Sequence, residues 1–277
     1  MTAGTLTLVA TPIGNLSDIS ARAVEALQAA DVVCCEDTRR TGMLLQHLGI
    51  SGKKYIVINE HTEYEACDDV VAKLLSGDEV ALVSDAGTPG ISDPGERLVK
   101  AAVIAGIEVT AIPGPSALTM ALVMSGLPTS RFVFEGFLPR SGGERTERIT
   151  QLVDEQRTVV LYEAPHRLER TLADLELACG SLRRIVLARE LTKMHEEMWR
   201  GTLHDAHKRA QAEEPRGEYA LILEGAKPPA PPTDEELNQA LRDELQAGAS
   251  KKDAAARVAA KYGAPKRKVY ELALMIK

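Results

Sequence analysis

The chain has 277 residues, 44% of them hydrophobic and 26% charged, with a formal net charge of −7. A chain of this length buries roughly three-quarters of the surface it exposes when unfolded, and this composition excludes disordered, fibrous and collagen-like classes. No apolar run approaches the roughly 20 residues that span a bilayer, and Leu6 to Ala10 lacks the length and basic flank of a signal peptide, so a cytoplasmic protein is expected. Cys34, Cys35, Cys67 and Cys179 follow no metal-ligand spacing, and the first two sit side by side in an apolar run; neither disulfides nor a bound metal is expected.

Short apolar runs alternate with helix-period segments from the start. Strands are predicted at Thr5–Ala10, Val32–Glu36, Tyr55–Ile58, Glu79–Ser84 and Glu108–Ile112. Helices fall between them, at Ser20–Ala29, Thr41–Leu48, Glu65–Ser76 and Gly95–Ala105, and Ser116–Met124 follows. This is the βαβα pattern of a mostly parallel sheet. Asp18 or Ser20 is the expected cap of the first helix, and Gly77 and Gly106 stand where helices should end. After the turn Ser125-Gly-Leu-Pro-Thr-Ser130 a second series begins. Its strands are predicted at Phe132–Glu135, Thr158–Tyr162, Arg184–Arg189 and Tyr219–Glu224, its helices end at Gln156 or span Arg167–Ala178 and His204–Ala212, and Arg140–Arg148 reads as a polar loop.

The fold class is therefore α/β, with two α/β domains and a small helical appendage. The domains are 1–127 and 128–227, residues 228–232 are a stiff Pro-rich linker, and 233–277 hold three short helices in a helix-turn-helix-like series. Charge is distributed unevenly: residues 251–277 carry eight basic and two acidic side chains, a net +6, whereas residues 1–232 carry −9. The tail is the natural contact for a polyanion.

In open α/β sheets ligands bind beyond the carboxyl ends of the strands. Four such segments stand out: Ala10-Thr-Pro-Ile-Gly-Asn15, Cys35-Glu-Asp-Thr-Arg-Arg40, Ser84 to Gly95, and Ile112-Pro-Gly-Pro-Ser-Ala117. Asp85 is expected to contact a ligand and Asp93 to cap the following helix, while Ser116 and Ala117 open a helix with free amides. In the second series Tyr162-Glu-Ala-Pro-His-Arg167 gathers polar groups at a strand end. Arg189-Glu-Leu-Thr-Lys193 reads as salt-bridged surface. Neither a G-x-G-x-x-G fingerprint nor a P-loop lysine is present, and the pair His204 and His207 has no partner cluster in the sequence.

Taken together, Ala10-Thr-Pro-Ile-Gly-Asn-Leu16, Glu36-Asp-Thr-Arg39, Ser84-Asp-Ala-Gly-Thr-Pro89 with Ile91-Ser-Asp-Pro-Gly95, Pro113-Gly-Pro-Ser-Ala117, Glu135-Gly-Phe-Leu-Pro139, Tyr162 to Arg167 and Arg189 to Lys193 form a collinear set. It resembles the bacterial ribosomal RNA small subunit methyltransferase I family of the tetrapyrrole (corrin/porphyrin) methylase superfamily. The resemblance implies two α/β domains with S-adenosylmethionine in the cleft between them, and a homodimer. It also implies methyl transfer to the ribose 2′-oxygen of a cytidine in the decoding region of 16S rRNA, within the small ribosomal subunit.

Carried over residue by residue, the cofactor site comprises Pro12, Ile13, Asp85, Ala86, Gly87, Thr88, Ile91, Ser116 and Ala117, with Tyr162, Ala164 and Ala220 from the second domain. A ribose hydroxyl is a poor nucleophile, so one of Glu163, His166 or Asp37 is expected to take its proton. Arg39 and Arg167 are expected to bind phosphate. The loop with Arg140, Arg145 and Arg148 and the tail residues Lys251, Lys252, Lys266, Arg267 and Lys268 are expected to hold RNA electrostatically. Three other readings compete: a small tetrapyrrole substrate, an RNA-binding factor with an inactive pocket, and a nicotinamide oxidoreductase, which the missing glycine fingerprint disfavours.

Overall fold

The computed structural model describes residues 2–59, 62–228 and 231–276; Pro229 and Ala230 of the linker and Lys277 of the tail lie outside the described residues. The chain separates into two compact units, residues 1–226 and 227–277.

The first unit begins with β1 (Thr5–Val9), α1 (Ala21–Ala29), β2 (Val32–Cys35), α2 (Thr38–His47), β3 (Lys54–Val57), α3 (Glu63–Ser76), β4 (Val80–Leu82), α4 (Glu96–Ile104), β5 (Glu108–Ile112) and α5 (Ala117–Ser125). The five strands form one parallel sheet in the order β3-β2-β4-β1-β5. Alternation along the strands splits the core into two layers, as a sheet covered on both faces requires. Leu6, Cys34 and Leu82 pack with α3 and α4, while Val9, Cys35 and Val83 pack with α1 and α2. Burial pushes the Cys34 thiol up to about 12, so it behaves as an inert apolar side chain. Of the two caps expected for α1, Ser20 serves: its hydroxyl accepts from the Ala23 N–H at 3.1 Å, whereas Asp18 closes a short 3-10 turn.

β1 and β4 are neighbours followed by helices on opposite faces of the sheet, α1 on one and α4 on the other. Their outgoing loops therefore part to the two faces and open a crevice. A reciprocal backbone pair fixes its floor: the Thr11 N–H donates to the Gly87 carbonyl at 2.9 Å and the Gly87 N–H to the Thr11 carbonyl at 3.1 Å. Gly87 sits at φ +90°, where side chains are strained, and a Cβ there would press on Ile13 at 3.4 Å.

The 84–95 loop departs from the sequence expectation at Asp93. The cap position of α4 is Gly95, at φ +135°, with no side-chain cap from the loop itself. Oε1 of the buried Glu63, at the start of α3, accepts from the N–H groups of Gly95, Arg97 and Leu98 at 3.1, 3.0 and 3.3 Å. One distant carboxylate thus satisfies the orphan donors of the first turn and suits the positive end of the helix. Asp93 is left free of capping.

The second half of this unit runs β6 (Phe132–Phe137), α6 (Gly142–Val153), β7 (Thr158–Glu163), α7 (Pro165–Cys179), β8 (Arg184–Arg189), β9 (Glu197–Thr202), α8 (Leu203–Ala212) and β10 (Tyr219–Leu223). Its sheet is mixed: the order is β6-β7-β10-β8-β9, with β6 and β7 parallel and the other pairings antiparallel. One face packs on α6, α7 and α8; the other, through Val160, Ala188 and Ile222, packs on Leu118, Ala121 and Leu122 of α5. By packing α5 joins the second sheet, although in chain order it precedes the turn at 125–130.

The polar stretch predicted as a loop is mostly helix. Within α6, Ile149 and Leu152 face the core at helical spacing and Arg145 is carried in with them. The pair His204 and His207 has a structural explanation too. Both Nδ1 atoms lie 2.8 Å from the Glu176 carboxylate, and these bonds hold that carboxyl down at about 2.

The second unit contains α9 (Asp234–Gln246), α10 (Lys251–Tyr262) and α11 (Lys266–Met275) around Leu237, Leu241, Val258 and Val269. Thr233 and Glu236 form a capping box on α9, and Ser250 caps α10. No helix among the described residues is long and apolar enough to cross a membrane.

Glu63→Ala should lower stability by about 2–4 kcal/mol, because donors at the start of α4 lose their acceptor in a buried site. Urea titration monitored by circular dichroism will show this as a fall in the unfolding midpoint.

Candidate functional site

Between the carboxyl ends of the first sheet and the second sheet lies a cleft of about 550 Å³, a size suited to a nucleotide-sized ligand. From the first sheet it is lined by Ile13 after β1, Glu36 and Arg40 after β2, and Asp85, Ala86, Gly87 and Thr88 after β4. Further along the same loop come Ile91, Ser92 and Asp93, and Ser116 and Ala117 follow β5. From the second sheet come Phe137, Tyr162 to His166, Ala188, Leu191, Lys193 and Glu218 to Ala220. Of the residues expected to hold a cofactor, Pro12 alone is outside this lining: it is half-buried between Thr11 and Ile13, and Ile13 reaches the cleft in its place.

The two sheets are fastened across the cleft. The Leu118 N–H at the start of α5 donates to the Tyr162 hydroxyl at 2.9 Å, and the Tyr162 ring meets Phe134 and Phe137 edge-on at 5.0 and 5.7 Å. Gly14 lies against Lys193, where a Cβ would stand 2.3 Å from the lysine Cγ. Backbone strain gathers at the same place: Ser92, Glu190 and Thr192 have φ of 61°, 50° and 64°. Non-glycine residues hold such conformations only where the surroundings impose them, commonly at functional sites.

The electrostatics of the cleft are predominantly acidic. Glu36 Oε1 accepts the Asp85 N–H at 3.0 Å, and Asp85 Oδ2 lies 3.2 Å from Arg40. Asp85 Oδ1 is buried and has no hydrogen-bond partner among the described residues. A buried acceptor without a donor is costly, and it points to a ligand that brings one. Asp93 lies beside these two carboxylates; burial, then the charge of Glu36, pushes its carboxyl up to about 7.

The three predicted proton acceptors fare differently. His166 is exposed in the cleft, with no hydrogen bond or ion pair among the described residues. Glu163 reaches the lining but is 2% exposed, taking the Thr171 hydroxyl at 2.6 Å and the Ala164 N–H at 2.9 Å and pairing with Arg167 at 3.2 Å. Asp37 is outside the lining: it caps α2, and the Arg39 side chain holds its carboxyl down at about 2, which makes it a poor base.

The cations expected to bind RNA divide likewise. Arg39 is 87% exposed but doubly bonded to Asp37. Arg140 is exposed and unpaired among the described residues. Arg145 departs from expectation: it is 4% exposed and its guanidinium is spent on Asp174, Thr171 and the Pro139 carbonyl. Arg167, donating to the Leu138 carbonyl and pairing with Glu163, is likewise part of the fold. Arg148 pairs with Glu135. In the second unit Lys252 and Lys266 are exposed and unpaired among the described residues; Lys251 holds the Ile276 carbonyl, Arg267 pairs with Glu271 and Lys268 with Asp234.

Sequence reasoning missed Arg40, Ser92, Phe137, Lys193 and Glu218 as lining residues and gave Asp93 another role. Lys193 does make the salt bridges read from its motif, to Glu190 at 2.9 Å and Glu218 at 2.7 Å, but at the cleft edge. The signal that was available is Gly14, whose lack of a side chain admits the 190–193 loop.

Residues 5–207 match the family model of Tetrapyrrole (Corrin/Porphyrin) Methylases, and residues 231–277 match the RsmI C-terminal HTH domain. The chain is 48% identical over 275 residues to a Ribosomal RNA small subunit methyltransferase I from Synechocystis sp., covering 98% of each. It is 43% identical to the protein of the same name from Escherichia coli, covering 98% of this chain and 95% of that one. Among solved structures, uroporphyrin-III C-methyl transferase from Thermus thermophilus complexed with S-adenyl homocysteine superposes with a TM-score of 0.55 at 18% identity, over 80% of this chain and 97% of that one.

Arg145→Ala should lower stability by about 2–4 kcal/mol, since it leaves Asp174 and Thr171 without their partner. Thermal denaturation will register the loss, and RNA affinity of the folded fraction should stay unchanged in filter binding. With its cleft at the strand ends, its collinear motifs and its relatedness over nearly the whole length, the chain belongs to the ribosomal RNA small subunit methyltransferase I family, on the tetrapyrrole methylase fold.

Proposed function

We propose that this protein methylates 16S rRNA with S-adenosylmethionine, at the ribose 2′-oxygen of a decoding-region cytidine. In this reading it acts in the cytoplasm as a homodimer on the small ribosomal subunit. The observation that carries the reading is the 48% identity over 98% of both chains to a Ribosomal RNA small subunit methyltransferase I.

The cleft fits the cofactor on its own chemistry. The ligand brings hydroxyl and amino donors and a sulfonium charge, and the cleft offers the unpartnered Asp85 Oδ1 and a cluster of carboxylates. Ile13, Ala117, Ala188, Leu191 and Ala220 supply an apolar wall for its flat base. When bound, the cofactor supplies an electrophilic methyl carbon.

The chain's own groups do the rest. Asp85 takes a ligand donor, Tyr162 holds the start of α5 against the second sheet, and the Glu163, Arg167 and Thr171 contacts set the strand-end segment that presents His166. His166, free and exposed, is placed to meet the incoming nucleotide. A rigid arrangement of this kind aligns the acceptor oxygen with the methyl carbon, as in-line displacement demands. Arg140, Lys252 and Lys266 stay available for phosphate. The basic helical unit favours RNA over a small tetrapyrrole, which has no use for such an arm.

Two outcomes are expected. Asp85→Asn should weaken binding of S-adenosylhomocysteine at least ~10-fold in calorimetry, because the charged acceptor is lost. Small subunits from a strain lacking the enzyme should take up labelled methyl from the wild-type protein, and nuclease mapping with mass spectrometry should find it on a cytidine 2′-oxygen. Cofactor binding with no label on subunits or free RNA overturns the reading.

A further inference from the structure

Asp93, the residue the sequence offers as the cap of α4, does not serve as one. In Asp93-Pro-Gly-Glu96 the acidic side chain precedes a proline and the first turn of α4, the arrangement in which a carboxylate ordinarily takes the turn's amides. Those amides are already taken by Glu63 from α3, and the loop turns instead through Ser92 at φ 61° and Gly95 at φ +135°. Gly136 of β6 gives this loop room, since a Cβ there would lie 2.9 Å from the Ser92 hydroxyl. The result is a half-buried carboxyl on the cleft wall.

The neighbouring groups have other commitments. Glu36 and Asp85 are bonded to each other's loops and Asp85 to Arg40. From the second sheet, Tyr162 is bonded to α5, Glu163 is paired with Arg167, and Lys193 is paired with Glu218; His166 is exposed. Among the described residues Asp93 has no ion-pair partner; the nearby Ser84 hydroxyl is all that favours its ionised form.

We propose that Asp93 is the catalytic residue that accepts the proton of the attacking ribose hydroxyl, an inference that rests on the methyl-transfer reading above. As the hydroxyl oxygen forms its bond to the methyl carbon, its proton passes to an Asp93 carboxylate oxygen. The carbon–sulfur bond breaks with its electron pair left on sulfur, giving a neutral thioether, and the carboxyl returns its proton to solvent once the products leave. A carboxyl raised to about 7 is matched to this task, because its ionised form is both populated and basic near neutral pH. Since the ionised form acts, the rate rises with pH through that value.

The test uses the full-length protein with S-adenosylmethionine and unmethylated small subunits. Asp93→Asn should lower kcat at least ~100-fold while S-adenosylhomocysteine affinity stays within about threefold and the melting temperature is kept. The wild-type kcat/KM profile should climb through about pH 7, and the climb should be absent from the residual activity of the variant. Independently of turnover, infrared difference titration of wild type against Asp93→Asn should show a carboxyl band with its midpoint near 7. Undiminished turnover in Asp93→Asn, a loss of cofactor affinity in step with the rate, or an ordinary low midpoint overturns the assignment. Failure of the wild-type protein itself to label RNA overturns the functional reading instead.

Discussion

The arrangement of the cleft depends on how the first turn of α4 is satisfied. A helix start in a buried setting must find acceptors for its free N–H groups, and here one carboxylate, Glu63, reaches across from α3 to take three of them. Because the donors are met from outside, the 84–95 loop need not fold back on its own helix. It is free to turn towards the cleft with Asp85, Ser92 and Asp93, while the Thr11 and Gly87 backbone pair fixes its near end beside β1. Local capping by Asp93 would have withdrawn a carboxylate from the site.

The second sheet contributes rigidity of a different kind. Its strand-end segment 162–167 is tied down by Glu163, Arg167 and Thr171, and Arg145 extends the network to Asp174 and the turn at Pro139. Such buried ionic clusters rarely add much net stability. Here the cluster fixes the position of His166 and Phe137 at the cleft, with the strained Glu190 and Thr192 holding the opposite edge. The acidic lining suits a cationic cofactor.

Much of this was legible in the sequence because it is local. Alternating apolar runs and helix-period segments located every strand of the first sheet and all of the second but its edge strand β9, and the glycine- and proline-rich segments after β1, β4 and β5 marked the cleft, since ligands gather at strand ends. What escaped is non-local. The partner of α4's first turn lies about thirty positions upstream of it, so Asp93 read as a cap. Arg145 read as a loop cation because Gly142 and Gly143 masked the helical period of Arg145, Ile149 and Leu152. The antiparallel pairings of the second sheet, and the transfer of α5 to it, follow from tertiary packing that no single segment encodes. The residues beside Gly14 belonged to a motif whose charges promised only surface pairing, which they do make, but at the cleft edge.

The central claim is that one cleft, built from the strand ends of both sheets, receives the cofactor. A crystal structure of this protein with S-adenosylhomocysteine tests it most directly. The ligand should lie between the 85–88 segment and Ala220, with one of its donors on Asp85 Oδ1. Density for the ligand elsewhere on the protein, with Asp85 Oδ1 still unpartnered, would contradict it.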